Sequence, residues 1–223
     1  MSDTKKIIPA EKKSKKNSVL VVICGGSGSG KTTVAKLITD KLRPDFSSCI
    51  ISLDNFYIPS YRIKTDNFDI PEALDWDLVN KTLTPLLDGH AVKCPIYSFV
   101  KRDYVEFKPI KPCDIVIVEG ILSLNDQRLR EMADIKIYVE VPDDERLIRR
   151  LLRDIAERDT DTKKTIEMWR STVIEAHHKY VEPCRYYSDL ILFWGGLKPN
   201  EVAIEASAGA IEFKFLEKNK KAK

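Results

Sequence analysis

Apolar positions along this chain fall into short continuous runs that are separated by longer stretches with helical spacing. Five runs have the length and composition of buried strands, at residues 19–24, 48–53, 114–118, 135–139 and 190–193. Helix-like stretches lie between most of them, among them residues 32–42, 144–157 and 165–181. Apolar strands that alternate with helices predict an α/β fold, in which helices flank a parallel sheet of about five strands.

The segment from about residue 71 to 107 breaks this alternation. It contains a predicted helix at 76–87, and then two short extended pieces at 92–99 and 104–107. We interpret it as an insertion, a helix and a small β-hairpin that project over a cleft of the core. The predicted domain spans residues 18–216. A Lys-rich tail at 1–17 and a basic tail at 217–223 are predicted to be disordered.

The chain has 223 residues, a formal charge of +3 and 43% hydrophobic residues, which fits one globular domain. That charge is too small to indicate a nucleic-acid protein, and much of it lies in the tails. A nuclear-import signal in the Lys-rich N-terminal tail is an alternative interpretation. The five cysteines form no Cys-x-x-Cys pair, which is typical of free thiols in a reducing compartment. We found no signal-peptide or membrane-spanning run and expect a soluble, cytoplasmic protein.

The first predicted strand leads directly into a glycine-rich loop with the spacing Gly-x-x-x-x-Gly-Lys-Thr, which opens a helix. Glycines let backbone N–H groups turn toward phosphates, and the helix N-terminus adds a favourable partial charge. Lys31 can reach the β- and γ-phosphates, and the Thr32 hydroxyl can ligate Mg²⁺. The predicted ATP-binding residues of this P-loop are Gly25, Gly26, Ser27, Gly28, Ser29, Gly30, Lys31, Thr32 and Thr33.

Two other classes of nucleotide-binding protein fit this loop less well. Neither glycine triplet completes the Gly-x-Gly-x-x-Gly of a dinucleotide-binding loop, because Lys31 and Thr33 stand at the final position. The guanine-selecting Asn-Lys-x-Asp motif is absent from the sequence, which counts against a GTPase. A small-molecule kinase is the interpretation that the following strands favour.

Acidic residues follow the second and third predicted strands. Asp54 lies at a strand's carboxyl end, where open α/β sheets bind ligands, and its carboxylate could accept the proton of an acceptor hydroxyl. A turn or helix-cap aspartate is the structural alternative. Glu119 directly follows the third strand, beside the P-loop, and can hold Mg²⁺ through water.

Arginines recur at helical spacing between residues 143 and 162, at Arg146, Arg149, Arg150 and Arg153. In one interpretation this segment is a solvated helix with ion pairs, since acidic residues lie nearby. In the other it is a mobile lid, whose arginines close over the transferring phosphoryl group and exclude water. The preceding P-loop favours the lid.

These features, with further motifs in the same order, resemble the uridine kinase (uridine-cytidine kinase) family, which is related to the phosphoribulokinases. The resemblance covers about residues 18–211. The motifs are Ser52-Leu-Asp-Asn-Phe-Tyr57, Asn67-Phe-Asp-Ile-Pro71, Pro95-Ile-Tyr97, Val118-Glu-Gly-Ile-Leu122, Arg149-Arg-Leu-Leu-Arg-Asp154 and Tyr180-Val-Glu-Pro183.

The resemblance implies a P-loop NTPase fold, with the insertion over the acceptor site, and a role for each matching residue. Asp54 would be the base on a nucleoside 5′-hydroxyl, Lys31 and Arg153 would act with it, and Thr32 and Glu119 would serve Mg²⁺. Arg153 and Arg158 would contact phosphates. The nucleoside site would be formed by Tyr57, Asp69, Tyr97 and Arg150. The resemblance also implies a homotetramer and feedback control by pyrimidine triphosphates.

Several positions depart from the family pattern. The histidine expected after Tyr97 is missing. The segment 98–103 includes Lys101 and Arg102, whose side chains could replace the hydrogen-bond donor of that histidine or recognise a different, anionic acceptor. The second lid arginine is absent from residues 157–161. Met168 stands in place of a glutamine, and Leu197 in place of an aspartate near the ATP base.

Together these observations predict an enzyme that moves the γ-phosphoryl group of ATP to the 5′-hydroxyl of a nucleoside, with uridine or cytidine as the leading acceptor. A different ribosyl or pentose alcohol is the first alternative. A nucleotide-binding regulatory protein with weak or no kinase activity is the second, and nucleic-acid binding through the lysine-rich tails is a distant third.

Overall fold

The computed structural model describes residues 17–63, 65, 67–158, 161–196 and 198–220, with the backbone alone for residues 157 and 158. Within these residues the strands are β1 (Val19–Gly25), β2 (Ser48–Ser52), β3 (Val92–Ser98), β4 (Asp103–Ile110), β5 (Ile115–Glu119), β6 (Ile135–Glu140) and β7 (Leu190–Phe193). The α-helices are α1 (Lys31–Leu42), α2 (Trp76–Leu87), α3 (Gln127–Met132), α4 (Asp143–Arg158), α5 (Thr162–Met168), α6 (Ile174–Ala176) and α7 (Glu201–Lys220). Residues 1–16 of the predicted N-terminal tail lie outside the described residues.

Five strands form one parallel sheet in the order β2-β5-β1-β6-β7, which confirms the predicted α/β fold. Strand β1 is central, and its Val21 pairs with Ile117 on one side and with Ile135 on the other. The chain builds the sheet first on one side of β1 and then on the other. Ligands of open α/β sheets bind where the strand order reverses in this way, at the carboxyl ends of the strands.

The core lies in two layers, one on each face of the sheet. All residues of β1 are buried, and alternate side chains point to opposite faces. Leu20 and Val22 pack with the layer that contains α2, whereas Val21 and Ile23 pack with α1 and α7. Because β1 is covered on both faces, it reads as a continuous apolar run rather than an alternating one.

The predicted insertion forms an antiparallel hairpin from β3 and β4, in which Val92 lies opposite Ile110. Its register shifts between Ile96 and Tyr97. The Tyr97 N–H donates to Asn55 Oδ1 at 3.2 Å, which ties the hairpin to the turn that follows β2. The hairpin therefore stands beside the strand end that carries the predicted catalytic aspartate.

Helix α4, the predicted lid, has its charged face inward. Arg146 and Arg150 are 2% and 6% exposed, whereas Ile148, Leu152 and Ile155 on the outer face are each more than half exposed. A surface helix ordinarily buries its apolar stripe. The burial of Arg146 and Arg150 contradicts a fully solvated helix, whereas the ion pairs that this interpretation predicts are present, with Arg146 pairing with Asp143 and Arg149 with Glu145.

Several shorter helical turns complete the architecture. The helix that starts with α5 continues to Val181 through two π-helical stretches on either side of α6, and it confirms the helix predicted at 165–181. Such π-helical turns are frequent at functional sites. The π-helical stretches are Trp169–Val173 and His177–Val181, and the 3₁₀ turns are Leu53–Phe56, Pro71–Ala73 and Glu182–Tyr187.

The prediction of a disordered basic tail at 217–223 is wrong for residues 217–220, which belong to helix α7. Helix α7 continues to Lys220, and Lys218 Nζ donates to Asp134 Oδ2 at 2.7 Å. Asn219 and Asn17 form hydrogen bonds in both directions between side chain and backbone. These contacts fix the helix end against the start of β1. Within the described residues, no helix has the length and apolar character needed to span a membrane.

Candidate active site

The P-loop folds as its glycines predict. Gly28 and Gly30 have φ values of 80° and 82°, in the left-handed region that side chains rarely adopt. The Lys31 side chain is buried and donates from Nζ to the Gly26 carbonyl at 3.1 Å. Burial lowers the pKa of Lys31, while the charges of Glu119 and Asp54 oppose that shift. The lysine is held across the loop, where the phosphates of a bound nucleotide would lie.

Two side chains from outside the P-loop pack on its glycines. A Cβ added at Gly26 would lie 2.4 Å from Arg146 Nη1, and one at Gly30 would lie 2.4 Å from the Trp194 ring. Arg149 stacks over that ring at 4.3 Å. Helix α4 thus supports the loop directly through Arg146 and indirectly through the Arg149–Trp194 pair.

The candidate metal site lies at the first residues of α1 and the end of β5. The Thr32 hydroxyl donates to Glu119 Oε1 at 3.2 Å. Burial raises the pKa of Glu119, and the charge of Lys31 counteracts this shift. Hydroxyl and carboxylate oxygens suit Mg²⁺, which is commonly held by one or two carboxylates together with substrate phosphates. The described part of the chain holds no cluster of three or more His, Cys, Asp or Glu side chains suited to a metal.

Asp54 is positioned by the 3₁₀ turn that follows β2. Ser52 caps this turn, because its Oγ accepts from the Asp54 N–H at 3.4 Å. Of the structural alternatives for Asp54, the capping role belongs to Ser52, and Asp54 lies within the turn itself. The Asp54 carboxylate lines the same cleft as Lys31 and Glu119.

Asp69 lines the cleft as well. Burial raises the pKa of its carboxyl group, and the nearby Arg150 guanidinium opposes the shift. A half-buried carboxylate beside an arginine can accept hydrogen bonds from vicinal hydroxyls. This supports the ribose role that the resemblance implies for Asp69.

The lid arginines converge on one P-loop residue. Arg146 Nη1 donates to the Ser27 carbonyl at 3.4 Å, and Arg150 Nη1 donates to the Ser27 hydroxyl at 3.1 Å. Arg153 Nη2 lies 2.8 Å from Asp154 Oδ1 and lines the cleft. The P-loop and helix α4 are therefore in direct contact. The side chain of Arg158, a predicted phosphate ligand, lies outside the described residues, as do residues 159–160 and Leu197.

The predicted catalytic and metal-binding side chains border one cleft of about 570 Å³. The lining residues fall into two chemical groups. We call the charged and polar group the charged end, and it comprises Ser27, Lys31, Thr32, Asp54, Asp69, Glu119, Arg150 and Arg153. We call the mainly apolar group the apolar end, and it comprises Tyr57, Phe68, Phe99, Val100, Ile121, Met168 and Thr172. The cleft can therefore hold a ligand with a phosphate-accepting group and a flat, weakly polar part.

The structure does not bring every predicted acceptor residue to this cleft. Tyr57 lines it, whereas Tyr97 packs behind, with ring centroids 5.8 Å from Tyr57. Lys101 is exposed on the hairpin turn and is not a lining residue. Arg102 turns away, stacks on Phe68 at 5.3 Å and donates to the Thr65 carbonyl at 2.6 Å. Of the two cations proposed to contact the acceptor, neither lines the cleft.

Sequence reasoning missed part of the site. Phe68, Phe99 and Ile121 lie inside motifs or segments named above but were given no role, and Thr172 was not considered. Arg146 and Trp194 were not recognised as P-loop supports. A sequence signal for Arg146 was available. Arg146 lies about one helical turn before Arg150 and therefore on the same face of α4.

Comparison with known proteins gives this geometry a context. The sequence matches the family model for the Phosphoribulokinase / Uridine kinase family over residues 20–197. Uridine kinase from Ligilactobacillus salivarius is 41% identical over 194 residues, which cover 84% of this chain and 89% of that protein. Uridine kinase from Clostridium novyi is 40% identical over 212 residues, which cover 91% and 98%.

Solved structures share the fold at lower sequence identity. Phosphoribulokinase from Rhodobacter spheroides aligns with a TM-score of 0.58 at 15% identity, covering 80% of this chain and 70% of that one. D-glycerate 3-kinase from Cryptococcus neoformans aligns with a TM-score of 0.58 at 15% identity, covering 78% and 82%. These similarities confirm the predicted P-loop fold.

Proposed function

This chain belongs to the phosphoribulokinase / uridine kinase family, and we propose that it moves the γ-phosphoryl group of ATP to the 5′-hydroxyl of a nucleoside. Uridine and cytidine are the leading acceptors, with UMP and CMP as products. The observation that carries this proposal is the juxtaposition of Asp54 with Lys31 and the Thr32–Glu119 pair in one cleft.

The transfer step follows from these positions. The 5′-oxygen attacks the γ-phosphorus, its proton passes to the Asp54 carboxylate, and the bond from the γ-phosphorus to the bridging oxygen breaks to leave ADP. Lys31 and Arg153 stabilise the negative charge on the phosphoryl oxygens, and Asp69 orients the ribose. Mg²⁺, held near Thr32 and Glu119, would neutralise charge on the β- and γ-phosphates. Positioning and electrostatic stabilisation account for most of the catalysis in this reaction class.

The proposal is tested by ATP consumption in the presence of Mg²⁺ with uridine, cytidine, other nucleosides and pentose alcohols, with Asp54→Asn as the control. Turnover of uridine or cytidine that Asp54→Asn abolishes supports the proposal. Turnover confined to pentose alcohols contradicts the nucleoside acceptor while retaining the kinase.

A second candidate is a nucleotide-binding regulatory protein with little kinase activity. It is favoured by the apolar acceptor end, where Met168 lies and to which neither Lys101 nor Arg102 contributes. ATP binding without turnover of any acceptor would support it. The intact P-loop and Asp54 favour the kinase, since a binding protein has no need of a positioned base.

Three further expectations accompany the proposal. A homotetramer and feedback inhibition by pyrimidine triphosphates rest on the family resemblance, and a cytoplasmic location rests on the sequence. Light scattering after size exclusion tests the first, and inhibition by UTP or CTP at fixed ATP tests the second.

A further inference from the structure

We propose that Cys49 and Cys113 form a modification site, at which hydrogen peroxide oxidises the two thiols to a reversible disulfide bond that stabilises the fold. The bond would join the start of β2 to the segment that precedes β5. This inference is independent of the proposed kinase function, because the two cysteines lie at the amino ends of their strands, whereas the cleft lies at the carboxyl ends.

The first observation is the geometry of the two thiols. All five cysteines are free, and the sulfur atoms of Cys49 and Cys113 lie 3.1 Å apart. Since a disulfide bond is about 2.0 Å long, the two sulfurs need to approach each other by about 1 Å. Both side chains are partly exposed, so a small oxidant in solution has access to them.

The second observation is the hydrogen-bond network that holds the two segments together. The Asp114 carboxylate accepts from the Ser47 N–H at 3.0 Å and from the Ser47 hydroxyl at 2.6 Å. The Ser47 hydroxyl oxygen accepts from the Asp114 N–H at 2.9 Å, and the Ser47 carbonyl accepts from the Ile115 N–H at 3.0 Å. These bonds fix the backbone beside both cysteines. The disulfide can therefore form by adjustment of two side chains, without separation of the strands.

The third observation concerns the reactivity of the pair. The hydrogen bond between the two thiols lowers the pKa of Cys113 and raises that of Cys49, so Cys113 ionises more readily. The thiolate is the nucleophilic form of cysteine, and its oxidation by a peroxide begins with a sulfenic acid. Cys113 is therefore the attacking thiol, and Cys49 is the thiol that resolves the intermediate.

The reaction consumes one hydrogen peroxide for each disulfide. The Cys113 thiolate attacks one peroxide oxygen, the O–O bond breaks, and the hydroxide that leaves takes up a proton to become water. The Cys49 sulfur then attacks the sulfur of the sulfenic acid, the S–O bond breaks, and the second oxygen leaves as water with the Cys49 proton. Two thiols are oxidised and the peroxide is reduced to two waters. A dithiol reductant reverses the modification.

A second pair of thiols provides an internal comparison. Burial opposes ionisation of Cys24, yet hydrogen bonds led by that of the Cys184 thiol lower its pKa to about 7. These two cysteines are 0% and 1% exposed, however. Oxidation of cysteine depends on exposure as well as on thiolate character. The same oxidant should therefore modify Cys49 and Cys113 and leave the buried pair reduced in the folded protein.

The disulfide would close the segment between Cys49 and Cys113 into a ring. This segment carries Asp54 and Asp69, and it includes α2 and the β3–β4 hairpin. A disulfide across a long segment removes more conformational freedom from the unfolded chain than one across a short segment. The oxidised protein should therefore unfold at a temperature about 5–15 °C higher than the reduced protein.

The test treats the full-length protein with hydrogen peroxide, blocks the remaining thiols and maps the peptides by mass spectrometry. We expect a peptide pair joined through Cys49 and Cys113, a higher melting temperature, and reversal of both by dithiothreitol. Cys94→Ala, at a buried cysteine whose charge acts on Cys49, is the matched control and should retain both effects. Absence of this peptide pair, a main product that joins Cys24 to Cys184, or an unchanged melting temperature overturns the inference.

Two variants test the order of the steps. In Cys49→Ser the hydroxyl can still donate to Cys113, and the sulfenic acid that forms there should accumulate and react with dimedone. Cys113→Ser should take up little dimedone at Cys49. Peroxide should raise the melting temperature of neither variant, and each variant is compared with its own untreated sample. Equal dimedone labelling of the two variants, or the same rise in melting temperature as in the unmodified protein, contradicts the inference.

Discussion

The charged and apolar ends of the cleft are built in different ways. The charged end is formed mainly by groups at strand ends and in the P-loop, such as Lys31 and Glu119, whose positions are fixed by the sheet. Asp69 from a loop and two arginines of α4 complete it. The apolar end is assembled largely from Phe68 in a loop, Phe99 at the hairpin tip and Met168 at the end of α5. The main part of the charged end is therefore fixed by hydrogen-bonded backbone geometry, and most of the apolar end by packing between separate segments.

This difference separates chemistry from specificity. Groups that stabilise a transition state must be held within a fraction of an ångström, and rigid elements provide that precision. Loops carry the contacts that vary among related proteins because they tolerate substitution. The charged end therefore supports phosphoryl transfer, while the departures at the loop-built end alter acceptor recognition.

The largest effect is expected from Asp54→Asn. Loss of the proton acceptor should lower kcat by about 10² to 10⁴ and leave the KM for uridine nearly unchanged. Initial rates across uridine concentrations measure both constants. Asp40→Asn, on an exposed aspartate paired with Arg43, is the control. A large increase in KM with an unchanged kcat would assign Asp54 to substrate binding. That result would contradict the assignment of the chemical step to the charged end.

A smaller effect is expected from Glu119→Gln. The amide retains the size of the side chain and can still accept from Thr32, but it loses the charge that favours Mg²⁺. The Mg²⁺ concentration at half-maximal activity should rise by about ten- to a hundredfold. Glu205→Gln, on an exposed glutamate paired with Lys41, should leave it unchanged. An unaltered Mg²⁺ dependence in Glu119→Gln would exclude Glu119 from the metal site.

Arg146→Met tests the support of the P-loop by the lid helix. The guanidinium donates to the Ser27 carbonyl and pairs with Asp143 at 2.6 Å, and methionine retains much of its volume. The KM for ATP should rise about tenfold, and the KM for uridine should change little. Arg128→Met, at an exposed pair with Asp77, is the control. Equal changes in both KM values would contradict a role confined to the charged end.

The smallest effect on catalysis is expected from His177→Gln, behind the charged end. Burial, with a contribution from the Arg146 charge, lowers the pKa of His177 to about 4, while Asp143 and Glu182 oppose the shift. In the unfolded chain the pKa of His177 is about 6.5, so that chain takes up the proton at a higher pH than the folded protein does. The folded state therefore loses stability as pH falls from about 6.5 toward 4.

Between pH 7.5 and 5.0 the free energy of unfolding of the unmodified protein should fall by about 2 kcal/mol more than that of His177→Gln. Urea unfolding at the two pH values measures this difference, and kcat at pH 7.5 serves as the check on the site. An equal loss in both proteins would show that His177 is not the buried neutral group described here.

The same contrast explains how much the sequence could predict. The parallel sheet followed from five apolar runs, and the observed strands differ from them by at most one residue at each end. Lys31 and Thr32 were predictable because the P-loop spacing places them after β1, and Asp54 and Glu119 were predictable because they lie at or near the ends of apolar runs. The apolar end was not predictable as a unit, since its residues come from separate segments that meet only after folding and no regular spacing in the sequence relates them.

Two other elements were missed for local reasons. Helix α3 has six residues, too few for a helical period to stand out. Helix α7 exposes Val202 and Phe213, which interrupt its apolar stripe, and its lysine-rich end resembles a tail in composition. The position of Arg102 also lay beyond sequence reasoning, because a left-handed arginine at a hairpin turn is rare.

The most direct test of the central claim is to identify the product formed from ATP, Mg²⁺ and uridine by phosphorus NMR. The account predicts one uridine 5′-monophosphate for each ADP, with no such product from Asp54→Asn. Phosphate at another hydroxyl, or ADP with inorganic phosphate and unchanged uridine, would contradict the claim that this cleft transfers a phosphoryl group to a nucleoside 5′-hydroxyl.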